Sequence, residues 1–195
     1  MDLRGWDQRY RSGERPAQDL AAAPTPLLIE TAQRLLPGKA LDLACGAGRN
    51  ALWLAERGWR VTAVDGAPAA IEILLQRARA RGLHVDAHVA DLEKGEYLIE
   101  PSAWDLIVMS YYLQRSLFEP AMRGLVPGGI LVAIVHIAGP GEKPTSTRLE
   151  PGALVRYFAG WEILHSYEGE PADPAHQRLV AEIVARRPTA SRPPA

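Results

Sequence analysis

The chain holds a single cysteine, Cys45, among 195 residues, so no intrachain disulfide framework is possible. A lone cysteine suits a reducing compartment. Long apolar runs are missing as well: nothing approaches the roughly 20 residues needed to span a bilayer. Charge of either sign is not in excess. With 22 Lys+Arg against 23 Asp+Glu the net charge is −1, so no global field pulls the chain toward nucleic acid or acidic lipid. The opening stretch MDLRGWDQRYRSGERP is charged and lacks an apolar centre, unlike a secretory signal. These absences lead to the expectation of a cytoplasmic protein with neither a nucleic-acid nor a membrane partner, acting as a monomer or homodimer.

Apolar residues make up 47% of the chain, enough for one sizeable core. No internal repeat is visible. Residues 1–23 mix charge, Gly and Ala and are expected to form an arm or lid. Residues 24–186 read as one domain. Residues 187–195, rich in Pro and Arg, read as a disordered tail.

Strand and helix patterns alternate through the domain. Thr25-Pro26 reads as N-cap and first turn of a helix running to Leu36. Lys39–Ala44 (KALDLA) is a short apolar strand, and Asn50–Arg57 a helix closed by Gly58. Arg60–Val64 is a strand. Pro68 opens a helix with Ile71, Leu74, Leu75 and Ala78 on one face, ending at Gly82. His84–Ala90 is a third strand, followed by a polar stretch over 91–103. Trp104–Met109 is apolar throughout, as a strand covered on both faces is. Phe118–Leu125 is helical, Pro127-Gly128-Gly129 a turn, and Ile130–Ile137 the most apolar strand. A helix over Pro151–Phe158 and two mutually antiparallel strands, Trp161–Tyr167 and Gln177–Ala185, complete the order. The fold class is therefore α/β, a mostly parallel Rossmann-like sheet with helices on both faces. Such sheets bind ligands at the carboxyl ends of their strands.

The first of those ends carries Asp42-Leu43-Ala44-Cys45-Gly46-Ala47-Gly48-Arg49-Asn50-Ala51. Gly46, Gly48 and Ala51 satisfy GxGxx(G/A), a loop that turns sharply and lets a ligand approach the backbone. Asp65, nineteen positions beyond Gly46, can accept from both hydroxyls of an adenosine ribose. Both features fit a dinucleotide or S-adenosylmethionine. Asp42 separates the two, because a carboxylate four residues before Gly46 repels a pyrophosphate and suits a sulfonium or an ammonium. Asp91-Leu92 ends the third strand, where the acid can accept from an adenine amino group. A second substrate domain for hydride chemistry is not expected. An NAD(P)-dependent oxidoreductase and a non-catalytic cofactor-binding protein remain the alternatives.

DLACGAGRN, VTAVDGAP, VADLE, WDLIVMS and LVPGGILV resemble the successive motifs of class I S-adenosylmethionine-dependent methyltransferases. WDQRY, CGAGRNALWLA and GWEILHSYEGE are most similar to the tellurite-resistance methyltransferase group. The resemblance implies a seven-stranded sheet of order 3-2-1-4-5-7-6 with strand 7 antiparallel. It implies that Asp42, Ala44, Gly46, Gly48 and Asn50 surround the methionine part of S-adenosylmethionine. Asp65 is then the ribose acid, Gly66 and Ala67 lie beside the adenine, and Asp91 and Leu92 hold its edge. Ser110 and Tyr111 lie near the sulfur and the methyl acceptor, and Trp6 and Tyr10 belong to a lid. One departure is visible: the group's His-Arg pair is not matched by Gly169–Arg178, although His176 and Arg178 fall in that segment.

His136, near the end of the most apolar strand, is a candidate base or a packed core histidine; Tyr111 lines the acceptor pocket or packs under the lid. Arg148 and His176 read as solvent-facing or as contacts for an anionic substrate. The fourth motif is MSYY, not an Asn-Pro-Pro-Tyr that grips a flipped base. No acid follows that strand to complete a metal site, so no metal is expected. The expected partner is a small-molecule methyl acceptor, with a thiol or chalcogen compound in view.

Overall fold

Strand β5 (Leu125–His136) shows how the core divides in the computed structural model. Ile130, Val132 and Ile134 join the apolar cluster on one face of the sheet, and Leu131, Ala133 and Val135 the cluster on the other. The same alternation holds in β4 (Trp104–Ser110), with Leu106 and Val108 on the first face and Ile107 and Met109 on the second. Strands covered on both sides have no polar face to show, which is why both read as unbroken apolar runs.

The structure describes residues 3–13 and 23–189. Residues 14–22 of the expected arm and 190–195 of the expected tail lie outside the described residues. β1 (Lys39–Leu43), β2 (Arg60–Asp65) and β3 (Asp86–Val89) extend the sheet on one side, and β6 (Glu162–Gly169) and β7 (Val180–Arg186) on the other. The order is β3-β2-β1-β4-β5-β7-β6. The pairs from β3 through β5 are parallel, and β7 is antiparallel to both β5 and β6. This is the Rossmann-like methyltransferase topology that the resemblance implies.

Helices α2 (Pro26–Ala32), α3 (Arg49–Glu56) and α4 (Pro68–Ala80) supply Leu28, Leu52, Trp53, Ile71 and Leu74 to the first face. The second face is covered by α5 (Phe118–Gly124) and by Phe158, whose ring meets that of Phe118 edge-on. Helix α1 (Leu3–Ser12) lies across the strand tips and packs on α4.

Several boundaries differ from the sequence pattern. α2 ends at Ala32, short of Leu36, and Thr25 caps no amide with its hydroxyl. Instead its backbone N–H donates to Asn50 Oδ1 at 2.9 Å. Pro127-Gly128-Gly129 is no free turn. It lies within β5 as an irregularity opposite Trp104 and Leu106, because the strand starts at Leu125. Pro151–Phe158 forms a single 3-10 turn over Val155–Phe158 instead of a helix. Its stretch carries Gly152 at φ +74°, which breaks any helical start.

Gly48 shows why the loop before α3 needs a residue with no side chain. Its φ is +81°, and a Cβ there would lie 2.5 Å from Leu74 Cγ. Gly48→Ala should therefore cost left-handed strain and overpacking together, about 2–5 kcal/mol. Gly58, also left-handed but facing open space, should cost about 1–2 kcal/mol as alanine. Urea unfolding of both variants checks the ranking. Equal losses would mean that Leu74 yields without cost.

Candidate cofactor and acceptor site

The glycine loop is held from below by Asp65, at the end of β2. Its carboxylate accepts from the Gly46 N–H at 2.8 Å through one oxygen and from the Ala67 N–H at 2.9 Å through the other. The loop turns on a Gly48 N–H donating to the Cys45 carbonyl and on Cys45 N–H donating to Val64.

A cavity of about 120 Å³ opens above this loop, lined by Asp42, Ala44, Gly46, Asn50, Asp65 and Ser110 among others. Tyr10, Tyr111, Arg49 and His176 close it. A smaller cleft lined by Asp65, Gly66, Asp91 and Leu92 adjoins it, and the two share Leu3, Ala44, Asp65 and Tyr112. Asp42 and Asp91 thus stand at opposite ends of a slot with Asp65 between them.

Asp42 is 1% exposed, and its Oδ2 has no hydrogen-bond partner. Burial, then the neighbouring Asp65 charge, push its pKa up to about 7, against the pull of the Ala51 N–H and of Arg49. An orphaned carboxylate oxygen in a cavity wall marks a place for a cation or a donor. At the other end, burial would raise the Asp91 carboxyl, but Lys94 and the Glu93 and Lys94 amides hold it below the usual range. One Asp91 oxygen is occupied by those two amides, and Lys94 Nζ lies 3.1 Å from the other.

Asn50 ties two walls together: its Oδ1 accepts from Thr25 N–H, and its Nδ2 donates to Ser110 Oγ at 3.1 Å. Arg49 is partly buried beside it, in an ion pair with the buried Asp173 at 2.7 Å. Tyr111 takes a left-handed backbone, φ +60°. Ala44, in the same lining, has φ +56°. Such strain costs on the order of 1 kcal/mol each and gathers at sites that need an exact shape. The Tyr111 and His176 rings stack with centroids 3.3 Å apart and planes 7° apart.

Helix α1 is seated on this site by three contacts. The Ala69 N–H donates to Asp7 Oδ1 at 2.8 Å, which together with Arg11 holds the Asp7 carboxyl below its usual pKa. A Cβ at Gly66 would lie 2.6 Å from Leu3, and one at Gly46 2.6 Å from the Tyr10 hydroxyl oxygen. Both glycines thus make room for α1.

Of the residues singled out in the sequence, Tyr10, Asp42, Ala44, Gly46, Asn50, Asp65, Ser110 and Tyr111 meet in the larger cavity, and Gly66, Asp91 and Leu92 in the adjoining cleft. Gly48, Ala67, His136, Arg148 and Arg178 line neither. Gly48 packs against Leu74, and Ala67 is fully buried beneath the loop. His136 stands behind the lining, its ring centroid 5.6 Å from those of Tyr111 and His176. Burial lowers its pKa, so it is a neutral imidazole near pH 7. Burial also raises the pKa of the Tyr111 phenol, with Asp173 adding to the effect, so this side chain is no anionic base. Cys45 is inert, since burial pushes its thiol up. Sequence reasoning missed Leu3 and Asp173, and read His176 as solvent-facing or as a contact for an anionic substrate. The spacing of Leu3, Trp6 and Tyr10 at i, i+3 and i+7 was a signal for α1; nothing local marks Asp173.

Residues 40–129 match the methyltransferase domain family Methyltransf_25. Among curated relatives, "Hemagglutinin 1" of Eikenella corrodens is 31% identical over 142 residues, 69% of this chain and 47% of its own length. The probable S-adenosyl-L-methionine-dependent methyltransferase TehB of Haemophilus influenzae is 26% identical over 151 residues, 72% of this chain and 52% of its own. The chain thus spans about half the length of these relatives. The crystal structure of TehB from Haemophilus influenzae superposes with a TM-score of 0.75 at 24% identity, covering 86% of this chain and 63% of that one. The Burkholderia thailandensis 1,6-didemethyltoxoflavin-N1-methyltransferase, bound to 1,6-didemethyltoxoflavin and S-adenosylhomocysteine, gives 0.71 at 19%, covering 95% and 87%. At these identities the two structures speak for the fold. Sheet order, glycine loop and family match agree: residues 40–129 match a methyltransferase domain, and the chain has the fold of TehB and is similar to it.

Proposed function

We propose that this chain transfers a methyl group from S-adenosylmethionine to a small-molecule acceptor. The observation that carries this reading is the buried Asp42 carboxylate, with one oxygen lacking a partner, in the lining of the cavity beside the glycine loop. It fits a cationic ligand and opposes a pyrophosphate, so it speaks against a dinucleotide. The neighbouring structure with 1,6-didemethyltoxoflavin adds support for a small acceptor.

In this reading Asp42, Ala44 and Gly46 receive the methionine part, Asp65 accepts from the ribose hydroxyls, and Asp91 and Leu92 border the adenine. When bound, S-adenosylmethionine supplies an electrophilic methyl on a sulfonium, displaced in line by the acceptor's lone pair as the electron pair of the breaking bond leaves on sulfur. The residues here contribute alignment and exclusion of water. Helix α1 borders the cavity through Leu3, Trp6 and Tyr10 and serves as its lid in this reading. Neither Tyr111 nor His136 is a charged base, and a thiolate or chalcogenide acceptor needs none.

Three outcomes test the reading. Asp42→Asn should have opposite effects on the empty and loaded protein. The folded pKa of Asp42 lies above its unfolded value, so the empty wild type loses stability as pH rises from about 4 through about 7. The asparagine variant escapes that loss and should melt higher than wild type at pH 8, the gap closing below about pH 4. It should also bind S-adenosylhomocysteine at least about tenfold more weakly at pH 8, measured by calorimetry. A variant that melts higher yet binds equally well would remove Asp42 from the site. Wild-type binding at pH 6 should release a proton, because the ligand's ammonium favours the ionised carboxylate; calorimetry in buffers of different ionisation enthalpy reads this. Asp65→Ala should weaken S-adenosylhomocysteine by about 1.5–3 kcal/mol, as charge-assisted hydrogen bonds are lost. Unchanged affinity would place the ribose elsewhere.

A further inference from the structure

We propose that the hollow between the stretch after β5 and the stretch before β7 binds an oxyanion group, a carboxylate or a phosphate, on the guanidinium groups of Arg178 and Arg148. This site goes beyond the methyltransferase reading and stands independently of it.

The hollow has a volume of about 290 Å³ and is lined by Ile137, Gly139, Glu142, Arg148, Arg178 and Leu179 among others. It lies at the ligand end of the sheet, because β7 runs antiparallel to β5 and starts where β5 ends, Val180 pairing with His136. His176 lines the cavity beside the glycine loop, and Gln177 and Arg178 line this hollow, so the two adjoin along the chain.

Its walls are fastened before any ligand arrives. The Ile137 N–H donates to the Leu179 carbonyl at 3.0 Å, and the Ala138 N–H to the Leu149 carbonyl at 2.8 Å. Glu142 Oε2 accepts from the Gly139 N–H at 3.0 Å and from Arg148 Nη1. Arg115 donates to the carbonyls of Thr145 and Arg148 and so holds the far limb of the loop. A site shaped in advance spares a ligand the cost of ordering it.

The charges do not balance. Two guanidinium groups stand against the single carboxylate of Glu142. The Gly139 N–H, then Arg148, hold that carboxyl below its usual pKa, and Arg178 adds to the effect. Glu142 is therefore ionised, and its partner is Arg148. The Arg178 guanidinium has no ion pair or hydrogen bond among the described residues. His136 adds no charge near pH 7, since burial above all, and then Arg178 and Arg148, keep its imidazole neutral. One positive charge is left over, on a planar fork of donors that matches two oxygens of one carboxylate or phosphate. Such a group is either the acidic end of the methyl acceptor, reaching over from the adjoining cavity, or a free anion.

Calorimetry separates these sources. Inorganic phosphate and acetate are titrated into the full chain with and without S-adenosylhomocysteine; 6-mercaptohexanoate and 6-mercaptohexan-1-ol are titrated with it. Wild type should bind phosphate, and the His136 ring protons should shift as it does. Arg178→Gln should weaken phosphate about tenfold or more, and Arg148→Gln several-fold. Glu142→Gln keeps an acceptor for the Gly139 N–H and frees Arg148, so it should tighten phosphate. A mercapto acid that binds about tenfold more tightly than both acetate and the mercapto alcohol marks the group as the acceptor's own. Phosphate and acetate binding as tightly as the mercapto acid mark a free anion. No binding of phosphate, acetate or the mercapto acid to wild type would overturn the proposal. So would binding that is unchanged in Arg178→Gln and in Arg148→Gln. Arg178 is exposed, so its glutamine variant tests the site in a folded chain. Failure of wild type to bind S-adenosylhomocysteine would overturn the methyltransferase reading alone and leave the phosphate result standing.

Discussion

The Asp65 carboxylate is the joint on which the ligand end of this molecule turns. With its two oxygens it accepts from the amides of Gly46 and Ala67, pinning the loop after β1 to the loop after β2. Charge-assisted bonds to backbone N–H groups are among the stronger ones available to a protein. Everything around the slot inherits its position from this clamp. The glycine loop places α3 and with it Arg49 and Asn50. Ala67 begins α4, whose first turn receives Asp7 of α1.

Around that clamp the structure concentrates polar and strained features that would be liabilities elsewhere. Asp42 is buried with an oxygen lacking a donor, and Ala44 and Tyr111 sit in the left-handed region. Each costs free energy in the empty protein. All three face one hollow, while the sheet beneath them is apolar on both sides. The division is physical: a core of packed Leu, Ile and Val supplies the stability that lets the strand tips carry charge without compensation.

The two halves of the slot differ in how they are built. The half with the acids is local: Asp42, Gly46, Asp65 and Asp91 each sit at the end of a strand or in the loop after it, and the strand order brings them together. The acceptor half is assembled from distant segments. Tyr111 follows β4, and His176 and Asp173 precede β7. A partly buried ion pair joins Asp173 to Arg49 of the glycine loop. This pair couples the two halves, since loosening the late loop also frees the side chain at the head of α3.

The sequence by itself determined the alternation of strands and helices and the places of the strand-tip acids; the strand order followed from the likeness to a known family. Period-2 runs and glycine-marked turns depend on local backbone preferences, and the strand-tip acids occupy fixed places relative to them. It did not determine where a helix-like pattern ends. Pro151–Phe158 became a single turn because Gly152 interrupts it and Phe158 is drawn into the cluster around Phe118. Nor could it say which residues of the motifs face a ligand. Gly48 and Ala67 belong to the same loops as Gly46 and Gly66, yet point into packing. Only the tertiary structure decided the stack of Tyr111 on His176 and the burial of Asp173. Those contacts join residues more than 60 positions apart, and no local periodicity encodes a meeting that depends on how the last two strands return to the sheet.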